Sequence, residues 1–153
     1  MGNDPDSTSE GSVAAIARVL SKFFAAVSFV DGSAPNYHAL RGLFSDSARL
    51  IKNTGATPEI STVDEFIAPR EEQVHSGALT SFEEVELGHI TEMFGNVGHR
   101  FSTYEKRGVL HGEAFEAIGV ISTQFIRTPD GWRISAMAWD DERPGLPVPD
   151  RYR

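Results

Sequence analysis

The 153-residue chain contains no cysteine, which removes disulfides, thiolate nucleophiles and thiolate metal sites from consideration. Positive charge is scarce: 14 Lys and Arg stand against 22 Asp and Glu, a formal net charge of −8. Non-specific nucleic-acid binding needs clustered cations to displace phosphate counterions, so no nucleic-acid partner is expected. No apolar run is long enough to span a bilayer, so no membrane partner is expected either. The first ten residues are polar and acidic and lack the basic start and apolar centre of a secretory signal, which makes the cytoplasm the expected location. Glycine-rich phosphate loops and Gly-x-Ser-x-Gly elbows are missing. The five histidines, His38, His75, His89, His99 and His111, show no ligand spacing, so neither a metal nor another cofactor is expected.

What remains is a chain with 40% apolar residues, enough for one folded domain. Residues 1–11 read as a disordered leader. Ser12 can cap a helix over 13–30, whose Ile16, Val19, Leu20, Phe23, Phe24, Val27 and Val30 fall on one face. Asp31-Gly32 ends it. Pro35-Asn36 opens a short helix over 37–44, and 48–52 is a short strand. Ser61-Thr62 followed by Asp64-Glu65 resembles a capping box for a third helix, which Pro69 must kink or end.

From Ser81 the apolar period changes from helical to alternating. Residues 82–94, 97–107, 113–128 and 132–142 read as strands joined by Gly95-Asn96, 108–112 and Pro129-Asp130-Gly131. Connections this short make neighbouring strands antiparallel. Trp132 and Ile134 share one parity while Met137 and Trp139 share the other; a bulge near Ser135-Ala136 turns all four inward. Residues 143–153 carry three prolines, which predicts an extended tail lying on the domain or on a partner subunit, or a frayed end.

Gly131-Trp132-Arg133-Ile134, Met137 and Trp139-Asp140-Asp141-Glu142 resemble the closing strand of the nuclear transport factor 2-like superfamily. Phe94-Gly95-Asn96, Phe101-Ser102-Thr103-Tyr104-Glu105, Gly119 and Ser122-Thr123-Gln124 extend the likeness to small bacterial, SnoaL-like or ketosteroid isomerase-like members. The resemblance is detailed over 82–142 and architectural over 12–80. It implies a single α+β domain over 12–142: a cone-shaped, curved antiparallel sheet of about four long strands and one short, wrapped around three N-terminal helices as a cystatin-like roll. It also implies a pocket between helices and sheet, and often a homodimer through the sheet's outer face. It does not imply a reaction.

If Gly95-Asn96 is a two-residue turn, Phe94 faces Val97 and the register follows. One face then carries His89, Leu87, Val85, Arg100, Ser102 and Tyr104. On it His89 opposes Ser102, and Leu87 opposes Tyr104. His89 among apolar walls is a candidate general base, or a structural histidine satisfied locally. Tyr104 and Ser102 are candidate oxyanion donors, and Arg100 a candidate anion clamp at the rim. The other face pairs Glu92 with His99, a solvated contact or a carboxylate–imidazole pair, and Glu86 with Glu105. Ser122 and Gln124, within an apolar stripe of the third long strand, and Trp139 are candidate ligand contacts.

The superfamily's chemistries fit unevenly. Ketosteroid isomerases use a carboxylate at the end of the first short strand, where this chain has Leu50-Ile51-Lys52-Asn53. Epoxide hydrolases use Asp–Arg–Asp, of which Arg100 alone is apparent. Dehydratase-like members use paired histidines with tyrosines, whose nearest counterparts are His89, His111 and Tyr104. The expected function is binding of a compact, mostly apolar organic compound. Any chemistry would be a cofactor-independent isomerase, lyase or cyclase step near a carbonyl. The alternative is a non-catalytic homodimerising or protein-interaction domain.

Overall fold

The computed structural model describes residues 9–153. Helix α1, Ser9–Val27, is followed by a 3-10 helix, Tyr37–Leu43, and strands β1, Phe44–Lys52, and β2, Glu59–Ser61. Helix α2, Val63–His75, precedes the long meander β3, Leu79–Phe94, β4, Val97–Leu110, β5, Glu113–Thr128, and β6, Gly131–Asp141. A second 3-10 turn, Asp150–Tyr152, lies near the C-terminus. The expected leader falls on residues outside those described, except that α1 already begins at Ser9.

The six strands form one sheet in the order β2-β1-β6-β5-β4-β3. The meander is antiparallel throughout, as the short turns require, but β1 runs parallel to β6. The sheet is therefore mixed rather than wholly antiparallel. A parallel pair needs a long crossover, and here the whole stretch from α2 to β5 supplies it. β1 is longer than expected, and β2 is an additional strand that the sequence pattern does not announce. Only three residues of β2 pair with β1, too few for a visible alternation.

Helix α1 ends three residues before its apolar pattern does. Ser28 donates its hydroxyl to the Phe24 carbonyl at 2.7 Å and accepts from the Glu84 N–H at 3.1 Å. Phe29 then exchanges both backbone hydrogen bonds with Phe82. Strand pairing replaces the last helical turn, and Val30 is exposed. The capping box on α2 forms as read, with Thr62 Oγ1 accepting from Glu65 N and Glu65 returning the bond. The helix runs through Pro69 to His75 without ending there. The turn between β4 and β5 is only His111-Gly112, both with positive φ as a tight hairpin needs; Gly108 belongs to β4.

The core lies between α1, α2 and the concave face of the sheet. Ile16, Leu20, Phe23 and Phe24 of α1 meet Phe125, Ile134 and Met137, and Leu40, Phe44, Leu50, Phe66 and Ile67 close the base. The β6 bulge sits where parity predicted it: Gln124 pairs with Ala136 and Phe125 with Ile134, which leaves Ser135 extra. Trp132, Ile134 and Met137 are buried, and Trp139 packs against the same core.

The proline-rich tail lies on its own domain, on the convex face of the sheet. Val148 is buried, and Thr103 of β4 donates its hydroxyl to the Tyr152 carbonyl.

Candidate functional site

The turn register holds from Phe94↔Val97 to Gly88↔Thr103, including His89↔Ser102. It then breaks. Leu87 is bulged out, so Glu86 rather than Leu87 opposes Tyr104, and Val85 rather than Glu86 opposes Glu105. One extra residue inverts the faces of everything before it. Glu84 and Glu86 turn to the concave side, whereas Val85 and Leu87 turn outward, 49% and 46% exposed. The expected Glu86–Glu105 pair does not exist.

Glu86 meets Arg100 in a two-pronged salt bridge, Nε to Oε2 at 3.0 Å and Nη2 to Oε1 at 2.6 Å. The Ser102 hydroxyl donates to Oε2 at 2.6 Å, and Arg100 Nη1 reaches Thr91 Oγ1 at 3.3 Å. Burial raises the Glu86 carboxyl, but the bonds from Arg100 and Ser102 outweigh it and hold the group below its ordinary value. Arg100 is therefore a buried partner of an internal carboxylate, not a free clamp at the rim. Ser102 is likewise engaged.

Tyr104 is buried and donates its phenol to Asp141 Oδ1, with the Asp140 carbonyl at 3.1 Å. Burial and Asp141 hold that phenol firmly protonated. Lys106 Nζ stands 3.0 Å from Asp141 Oδ1. Gly119 makes this possible: a Cβ there would lie 2.3 Å from the Tyr104 hydroxyl oxygen. Its role is close approach.

Two residues before Glu86 on the same face of β3, beside Lys106, stands Glu84, which carries no signal in the sequence. Its N–H is tied to Ser28, and its register partner is Lys106. Burial pushes its carboxyl up to about 7, against the attraction of Lys106 and Arg70 and with the repulsion of Asp141 added. Among the described residues, no hydrogen bond reaches its carboxylate. Arg70 of α2 lies over the Phe66 ring at 3.6 Å and donates to the Phe66 carbonyl at 2.9 Å. Among the described residues it has no ion-pair partner, and burial lowers its pKa. Trp139 meets the same Phe66 ring edge-on at 6.2 Å. Burial raises the Tyr37 phenol, against the attraction of Arg70.

A cleft of about 320 Å³ opens between α1 and the sheet beside this group. Leu20, Ser21 and Phe24 form its helical wall, and Glu84, Glu86 and Arg100 its polar wall. A wider depression of about 620 Å³ lies near the β4–β5 end, lined by Glu83, Arg107 and Phe115 among others.

The remaining expected residues fall elsewhere. His89 has concave parity, yet it is exposed, with Nδ1 3.3 Å from Thr91 Oγ1. The β3 strand outruns α1, so no helix covers it. Ser122 and Gln124 share a face as expected, but it is the convex one: Ser122 opposes Phe101, and Gln124 Oε1 accepts from Ser135 at 2.9 Å. Their inward neighbours are Ile121, Thr123 and Phe125, and the wholly buried Thr123 hydroxyl has no hydrogen-bond partner among the described residues. His111 is at an exposed turn. Glu92 and His99 pair at 2.9 Å on the open surface. Among the described residues, no cluster of metal-ligating side chains occurs.

No family model matches the chain, and no curated protein matches it. Solved structures do. A nuclear transport factor 2-like superfamily protein from Salmonella enterica superposes with a TM-score of 0.72 at 13% identity, over 89% of this chain and 94% of its own. LinA gives 0.72 at 14% identity, over 88% of each chain. A candidate dehydratase of the same family from Streptomyces avermitilis gives 0.67 at 15% identity, over 89% of this chain and 99% of its own. The fold is thus the nuclear transport factor 2-like cone.

Proposed function

We propose that this chain binds a compact organic carbonyl compound in the α1–sheet cleft and moves a proton on it without a cofactor, with Glu84 as the acid–base group. The observation that carries this reading is a half-buried carboxyl on the polar wall of the α1–sheet cleft, reached by no hydrogen bond among the described residues and pushed by burial up to about 7. A base of that strength is half ionised at physiological pH, where proton transfer from a carbon next to a carbonyl is best served. Arg70 and Lys106 supply positive charge near that carboxyl and are suited to an enolate or carboxylate. Tyr104 acts at one remove, by fixing Asp141 and hence Lys106. The likeness to a candidate dehydratase supports an elimination or isomerisation step. His89, exposed beyond the helices, is not needed for it.

The test is deuterium exchange. Incubating the protein in D2O with a panel of small ketones, aldehydes and 2-oxo acids, read by NMR, is expected to give label next to the carbonyl in at least one compound. Glu84→Gln is expected to lower that rate about 10²–10⁴-fold, the usual contribution of a positioned base. Equal exchange in the variant, or none anywhere in the panel, overturns the reading.

A second reading concerns assembly. Phe94, 87% exposed, stands with Ile90, Val97 and Phe101 on the convex face, all of them exposed. An apolar patch of this kind supports a homodimer through the sheet, and hence an interaction role beside or instead of catalysis. No helix among the described residues is long and apolar enough to cross a membrane; a cytoplasmic location belongs to the same proposal.

A further inference from the structure

The β3 bulge works against simple hydrophobic sorting. Without it, the register set by the Gly95-Asn96 turn would bury Val85 and Leu87 and leave Glu84 and Glu86 in water. With it, two aliphatic side chains are half exposed and two carboxylates face inward. Desolvating a carboxylate and exposing apolar area both cost free energy. The Arg100 and Ser102 bonds to Glu86 offset part of that cost. Something else must favour the bulged form.

The C-terminal tail is built against that spot. Gly88, next to the bulged Leu87, has the Tyr152 carbonyl 2.9 Å and the Arg153 backbone 3.0 Å from where a Cβ would stand. Thr103, the register partner of Gly88, is wholly buried and gives its hydroxyl to that same Tyr152 carbonyl. The Tyr152 ring meets Phe101 edge-on at 5.0 Å. Arg153 closes the loop on itself, with Nη2 3.2 Å from Glu142 Oε2 and Nε bonded to the Val148 carbonyl at 3.4 Å. The glycine and the buried threonine form a seat that fits only while the tail is in it.

We propose that residues 148–153 are a positioning element, which holds the bulge at Leu87 from behind and so keeps Glu84 and Glu86 on the concave face. The consequence for proton transfer rests on the function proposed above; the register consequence does not. The carboxyl of Glu84 is faced by Lys106 and Tyr104 from β4, Asp141 from β6 and Arg70 from α2, while the α1 residues that line the cleft beside it are uncharged. A slip to the regular register would remove Glu84 from all of them at once.

The chain has no cysteine, so one thiol can report the register. Leu87→Cys in the full chain is expected to react with a thiol reagent as an exposed group. The same variant ending at Pro147, or carrying Gly88→Ala to expel the tail, is expected to react about tenfold more slowly, as a site reached only through local opening does. Mere loosening would speed the reaction instead. Unchanged or faster labelling in both variants overturns the inference. Because labelling needs neither substrate nor an ionised Glu84, it can fail while deuterium exchange succeeds, and the reverse.

Discussion

Glu84 combines two demands that oppose each other, a half-buried position among packed side chains and a charge. Its folded pKa of about 7 lies above the ordinary carboxyl value. The folded state therefore holds a proton that the unfolded chain has released, and stability falls as pH rises from about 4.5 to about 7. Glu84→Gln removes that penalty. It is expected to raise the melting temperature by a few degrees at pH 8 and to leave it nearly unchanged at pH 4, consistent with roughly 1–3 kcal/mol. The substitution that gains stability at pH 8 is the one expected to lose exchange activity, a trade found where a site stores strain. In wild type the exchange rate is expected to rise with pH through about 7, since abstraction needs the ionised form. Tyr104→Phe leaves Asp141 without its phenol donor and is expected to cost about 1–2 kcal/mol in denaturant unfolding.

At the level of elements, the Glu86–Arg100 pair joins β3 to β4 from inside the cone, with side chains 19% and 8% exposed. Breaking such a pair leaves a buried charge uncompensated. Arg100→Met is expected to cost about 3–5 kcal/mol, whereas Arg100→Met with Glu86→Leu should recover most of it, as read by urea midpoints. The two bulges differ in how visible they were. In β6 the apolar residues change parity between Ile134 and Met137, and only a bulge reconciles them. In β3 both registers give a plausible alternation, Val85 and Leu87 or Glu84 and Glu86. The contacts that decide between them, Arg100, Ser102 and Tyr152, lie 14 or more residues away in sequence. For that reason Glu84 carried no local signal. Ser122 and Gln124 were readable in principle. Once Arg100 is inward, its partner Thr123 is inward too, and the residues flanking Thr123 face out. His89 differs in another way: its side follows from parity, but its exposure depends on where α1 ends relative to β3, a tertiary fact.

For the whole molecule, the cone provides a concave face that is apolar over β5 and β6 and carries carboxylates and cations over β3 and β4, and a convex face that is partly apolar. The tail covers one part of the convex face at Gly88 and Thr103, while Phe94 and Val97 at the hairpin tip stay open. If that tip pairs two copies, Phe94→Glu with Val97→Lys should convert a dimer to a monomer by light scattering, with little change in melting temperature. The order of helices and strands was legible because the change from helical to alternating periodicity is sharp at Ser81. The parallel β1–β6 contact was not, since it joins segments about 90 residues apart.

The most direct measurement is a carbon-13 NMR titration of the Glu84 carboxyl in the intact protein, assigned with Glu84→Gln. A midpoint near 7 that moves when a carbonyl ligand binds is what the proposed site predicts. A midpoint at the ordinary carboxyl value, unmoved by any ligand, would contradict it.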